Sequence, residues 1–113
     1  MIFTNDNGGE WLSRGAPLFN RKGSLLEGGI RVPTIVRWPG RVPAGRVSPQ
    51  VGITMDLSAS VLAATNTPVP PEARLDGINL LPILEGRAPA TERTLFWRAT
   101  AGGLDQRAVR SGD

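Results

Sequence analysis

Apolar residues in this chain come in short, separated runs, and the way each run starts and stops predicts the elements. Ile2-Phe3-Thr4 reads as the end of a short buried strand running straight into Asn5-Asp6-Asn7-Gly8-Gly9, a cluster of turn formers. A buried parallel strand of this kind needs neighbours on both sides and helices on both faces. From Asn5 to Gly29 neither a period of 2 nor one of 3.6 persists, and six glycines interrupt the stretch. A connection of about 25 residues without periodicity is uncommon inside a compact domain and points to a functional loop.

Thr34-Ile35-Val36-Arg37-Trp38 predicts a second strand, bracketed by Pro33 and Pro39 and closed by the Pro39-Gly40 turn. A loop with an extended piece at Val51-Gly52-Ile53 leads to the clearest helix, over residues 55 to 65. Thr54 is its expected cap, and Asp56 lies in the first turn, where the positive end of the helix dipole favours a carboxylate. Leu57, Val61 and Leu62 form its expected apolar face. Asn66 suits a left-handed stop before Thr67-Pro68. After the stiff connector Val69-Pro70-Pro71 and a turn at Asp76-Gly77, Asn79 is placed to cap one helical turn through Leu80, Leu81, Ile83 and Leu84. Pro82 is tolerated near its start and Gly86 ends it. Thr94–Arg98 and Arg107–Arg110 predict a hairpin turning across Ala101-Gly102-Gly103, ahead of Ser111-Gly112-Asp113.

Composition narrows the chemistry. The chain has no cysteine and no histidine, which removes disulfides, zinc-thiolate sites, the commonest general base and the commonest metal ligand together. Chemistry is left to Asp, Glu, Lys, Arg, Ser, Thr and Asn. With 14 Gly and 10 Pro the chain is rich in turns and loops. The net charge is +3, but twelve of the thirteen cations are arginines scattered singly among acids, so there is no basic stripe for nucleic acid. No stretch approaches the roughly 20 apolar residues of a membrane span, and the first residues lack the basic-then-apolar arrangement of a leader.

Ligands of open α/β sheets gather beyond the carboxyl ends of strands, where Asp6 and Asn7 fall. A carboxylate beside a carboxamide supplies hard oxygens suited to Ca²⁺ or Mg²⁺, although the same residues favour plain turns everywhere. The ligand spacing of an EF-hand is absent, and a Walker A loop would need Gly where Arg21 precedes Lys22. Lys22 is the only lysine. It lies among glycines that let backbone approach a ligand closely, and its ammonium is a good point-charge partner for a sulfate or phosphate oxygen; the alternative is a solvated surface lysine.

Read in order, FTNDNGG, RGAPLFNRKGSLLEGGIRVPTIVRWPGRVPAG, TMDLSASVLAATNTPVP, LDGINLLPILEG, TLFWR and QRAVRSGD resemble the C-terminal part of the sulfatase family, the arylsulfatase-like enzymes of the alkaline-phosphatase superfamily. The resemblance covers essentially the whole chain. It implies the C-terminal part of an alkaline-phosphatase-like α/β sulfatase fold, ending in a small antiparallel subdomain. Residues 1–69 are then the end of the catalytic α/β domain with its active-site loop, and residues 70–113 part of the subdomain, with the 55–65 helix between them. Ile2, Phe3, Ile35 and Val36 are expected in the central sheet, and without the preceding two thirds of such an enzyme their faces are left exposed.

The family hydrolyses sulfate esters with a formylglycine made from Cys or Ser in an N-terminal C/S-x-P/A-x-R motif. The hydrated aldehyde attacks sulfur, the alcohol leaves, and sulfate is expelled as the aldehyde re-forms. Calcium polarises the sulfate. By resemblance Asp6 and Asn7 match a pair of calcium ligands and Lys22 matches a lysine contacting the substrate sulfate, while Glu27 and Arg31 are structural. The nucleophile motif is absent, since Ser48-Pro49 is followed by Gln50-Val51 with Gly52 where Arg is required. The other calcium acids, the histidines and the second lysine of the family are missing too. The chain is therefore expected to be inactive alone, with the missing N-terminal part as its partner and a sulfate ester as substrate. A phosphonate or phosphodiester hydrolase relative, or a non-catalytic remnant, is the alternative. Family members are often exported.

Overall fold

The computed structural model describes residues 1–101 and 103–112. Gly102, in the expected hairpin turn, and Asp113 lie outside the described residues. The elements are β1 (Ile2–Thr4), α1 (Glu27–Ile30), β2 (Thr34–Val36), α2 (Thr54–Ala64), α3 (Leu81–Leu84), β3 (Thr94–Ala101) and β4 (Leu104–Ser111). They fall into two compact units, one made of Met1–Val36 with Glu92–Asp113 and the other of Arg37–Thr91.

In the first unit β1 pairs antiparallel with β2, matching Ile2 to Val36, Phe3 to Ile35 and Thr4 to Thr34. This replaces the expected buried parallel strand. The long connection returns the chain beside β1 in the opposite direction, and the Thr4 and Thr34 hydroxyls meet across the pair at 3.0 Å. Of the four residues expected to be left exposed, Ile2, Phe3 and Ile35 are exposed and Val36 is half-buried. The hairpin β3–β4 is antiparallel and longer than its predicted strands. Period-2 alternation continues through the added residues, and the Arg98–Asp105 pair at 3.0 Å ties its distal end. Leu95 and Trp97, with Gln106, Ala108 and Arg110, lie on the covered face. Phe96 and Val109, opposite each other, lie on the exposed one.

The second unit is organised by a buried carboxylate. α2 begins one residue earlier than expected: Ile53 holds the cap position and Thr54 is the first helical residue. Ile53 has no side-chain acceptor, so Asp56 does the capping, taking the Ile53 N–H on Oδ2 at 2.8 Å. Its Oδ1 accepts the Ile78 N–H at 2.8 Å, which fastens the segment before α3 to α2. One turn on, the Ser60 hydroxyl donates to the Asp56 carbonyl at 2.6 Å and accepts the Leu80 N–H at 2.9 Å. The buried face of α2 is therefore Asp56, Ala59 and Ser60, not the expected Leu57, Val61 and Leu62; Val61 is exposed. A polar stitch to the 77–80 backbone outweighed the apolar count. Leu80, Leu81 and Ile83 complete the core with Ala59. Asn66 takes the left-handed conformation and Gly86 ends α3 with φ 78°, as the sequence predicts; α3 starts one residue later than expected, with Leu80 at the cap position, and the Asn79 side-chain oxygen accepts the Leu81 N–H at 3.0 Å. Among the described residues no helix is long and apolar enough to cross a membrane.

Replacing Asp56 with Asn turns an amide NH₂ toward one of two buried N–H donors. The loss should cost about 2 kcal/mol, read as a lower urea midpoint; an unchanged midpoint would show that this carboxylate does not organise the unit.

Candidate functional site

The connection between β1 and β2 is organised by backbone meeting backbone. The Gly8 N–H donates to the Gly29 carbonyl at 2.8 Å, the Gly28 N–H to Phe19 at 2.8 Å, and the Lys22 N–H to Gly9 at 2.9 Å. A Cβ on Gly8 would overlap the Gly28 carbonyl, and one on Gly28 would overlap the Phe19 and Asn20 carbonyls. These glycines allow close approach, but the group approached is the loop's own backbone; no ligand is involved in that contact. Asn20 turns the chain into Arg21-Lys22 with φ 69°, a conformation Asn tolerates. α1 adds a further turn, and its Glu27 pairs with Arg31 at 3.1 Å.

Asp6 is exposed and Asn7 half-buried, on the bend that follows β1. Both offer hard oxygens of the kind a calcium ion takes. Among the described residues no group of three or more His, Cys, Asp or Glu side chains is placed to hold a metal. Asp6 and Asn7 therefore fit calcium in kind, and the six to eight oxygens it requires exceed what they supply. Lys22 is brought to the same end of the loop, its backbone hydrogen-bonded to the residue two beyond Asn7.

The Lys22 ammonium lies 3.2 Å from a Glu10 carboxylate oxygen, a partner the sequence did not signal. The other Glu10 oxygen accepts the Trp11 N–H at 3.0 Å. Arg21 stacks over the Trp11 ring with its guanidinium carbon 3.7 Å from the centroid. Beside these residues an open cavity of about 210 Å³ is lined by Gly9, Glu10, Ser13, Asn20, Arg21 and Gly28, among others. The arrangement provides the Lys22 ammonium, one acidic side chain able to compete with an anion for it, and beside them a cleft lined in part by glycines and by Arg21. It can hold an anion at Lys22, provided that Glu10 yields or shares it.

No family profile matches the chain. Individual relatives do. The chain is 39% identical over 103 residues to N-acetylgalactosamine-6-sulfatase of Canis lupus familiaris, covering 86% of this chain and 20% of that protein. It is 36% identical over 102 residues to arylsulfatase A of Homo sapiens, with the same coverage of 86% and 20%. The crystal structure of Ps i-CgsB in complex with k-i-k-neocarrahexaose superposes with a TM-score of 0.88 at 30% identity, over 98% of this chain and 25% of that one. The chain belongs to the sulfatase family. It has the fold of the C-terminal part of an alkaline-phosphatase-like α/β sulfatase, and it spans about a fifth of the length of the curated sulfatases it matches.

The Trp11 N–H, and after it Lys22, hold the Glu10 carboxyl of this sulfatase chain below the ordinary glutamate value of 4.5. A depressed carboxyl stabilises the fold above its unfolded value, and that contribution is lost as pH falls through the folded one. A ¹³C carboxyl titration should thus place Glu10 below 4.5, and Lys22→Ala should raise it part of the way back, because the Trp11 contact persists. A midpoint unmoved by Lys22→Ala would exclude the pairing.

Proposed function

We propose that this chain carries part of the calcium and sulfate site of a sulfuric ester hydrolase. Its strongest support is the loop that fastens the Lys22 backbone beside the Asp6-Asn7 bend in a chain 39% identical to a sulfatase. Residues 1–69 belong to the end of the catalytic α/β domain and residues 70–113 to the small C-terminal subdomain. The formylglycine and the remaining ligands come from the N-terminal part of the enzyme, which is this chain's partner.

In this reading Asp6 and Asn7 hold calcium, which when bound polarises the sulfate. Lys22 supplies a compact positive charge to a sulfate oxygen, where it offsets negative charge on the ester. Glu10 holds the ammonium at this end of the loop while the site is empty, so the lysine need not search for its place on a flexible stem. Gly9 and Gly28 leave the cleft wall without side chains.

Titration of the chain with sodium sulfate and calcium chloride tests the proposal. Each should raise the thermal midpoint by ligand linkage. Lys22→Ala should abolish the sulfate shift and keep the calcium one, and Asp6→Asn should do the reverse. Calcium is expected to bind weakly, at about millimolar concentrations, like the loosest oxygen sites. A midpoint indifferent to both ions would favour a non-catalytic remnant.

A further inference from the structure

The face of β4 that is covered carries two polar side chains, and both reach the loop that bears Lys22. Gln106 bridges it like a clamp: its Oε1 accepts the Leu25 N–H at 3.2 Å and its Nε2 donates to the Gly23 carbonyl at 2.9 Å. Two repeats of the pleat further, past Ala108, Arg110 Nη1 meets Glu27 Oε1 at 2.9 Å. Gly23 follows Lys22 directly and has φ 88°, with open space around its Cα. It is a glycine with nothing packed where a side chain would stand, so a bond to its carbonyl removes more freedom than one to a residue already held by packing. A side-chain amide is a neutral group that accepts on one atom and donates from another, which is what a peptide carbonyl and the second N–H beyond it require. The clamp spans 83 residues of sequence from Gly23 to Gln106.

We infer that Gln106 is a positioning residue for the Lys22 loop: it fixes the backbone on the C-terminal side of Lys22, as Gly9 fixes Lys22 itself, so that the ammonium is presented from a loop held at both ends. The clamp stands on its own geometry; its consequence for anion binding rests on the reading of Lys22 as a sulfate contact.

Hydrogen exchange with residue-level fragmentation, on the 113-residue chain, separates the two. Gln106→Leu should speed exchange at the Leu25 amide by about tenfold, the loss of roughly one hydrogen bond, and weaken sulfate binding severalfold, with the exchange of α2 unchanged as the check on folding. Gln106→Glu keeps the acceptor for Leu25 but sets an oxygen against the Gly23 carbonyl; it should leave Leu25 protected and still weaken sulfate. An unchanged Leu25 amide in Gln106→Leu would overturn the clamp. A fast Leu25 amide with undiminished sulfate binding, where Lys22→Ala does diminish it, would overturn the positioning role. If Lys22→Ala itself leaves sulfate binding intact, the anion reading fails, and a fast Leu25 amide in Gln106→Leu would uphold the clamp alone.

Discussion

The contact on which the first unit depends is backbone against backbone: Gly8 pressed to Gly28 and Gly29 with no side chain between them. A connection of this length has a large conformational entropy to lose, and few apolar side chains to offset it, since Trp11, Leu12 and Phe19 are all exposed. Peptide groups brought to hydrogen-bonding distance take over that role. Any Cβ at Gly8 or Gly28 would part them, and the residues the loop carries would then lose their common end.

Around that contact, restraints are added from outside. The hairpin turns Gln106 and Arg110 toward the loop, and Glu10 pairs with the Lys22 ammonium. Each is a modest interaction, and the Lys22–Glu10 pair is exposed and worth little to stability. Their effect is on where one ammonium stands. Catalytic and binding groups held on loops need such support, because a loop's own contacts leave it free to wander.

Much of this was legible in the sequence. Turn formers marked the end of β1, Asn66 and Gly86 marked helix ends, and alternation marked the hairpin. The resemblance to sulfatases fixed the family from the same residues. What sequence could not supply was long-range and polar. The apolar count of α2 chose Leu57 and Val61, whereas the buried carboxylate of Asp56 turned a different face inward. The glycines near Lys22 signalled close approach but not that the loop's own backbone was the object. Nothing along the chain linked Gln106 to Gly23, because a clamp between positions so far apart has no periodicity to betray it. The roles proposed for Asp6, Asn7 and Lys22 rest on the resemblance; the structure contributes the Lys22 N–H bonded to the Gly9 carbonyl, two residues past Asn7.

The most direct measurement is hydrogen exchange at the Lys22 amide in wild type and in Gly28→Ala. If close backbone contact at Gly28 is what places Lys22, the added methyl, six positions away in sequence and driven against the Phe19 and Asn20 carbonyls, should open the Gly28–Phe19 bond and speed exchange at Gly28 and Lys22 by about tenfold or more. Equal protection of the Lys22 amide in the two proteins would contradict the account, and would mean that the lysine is held by something other than the backbone clasp.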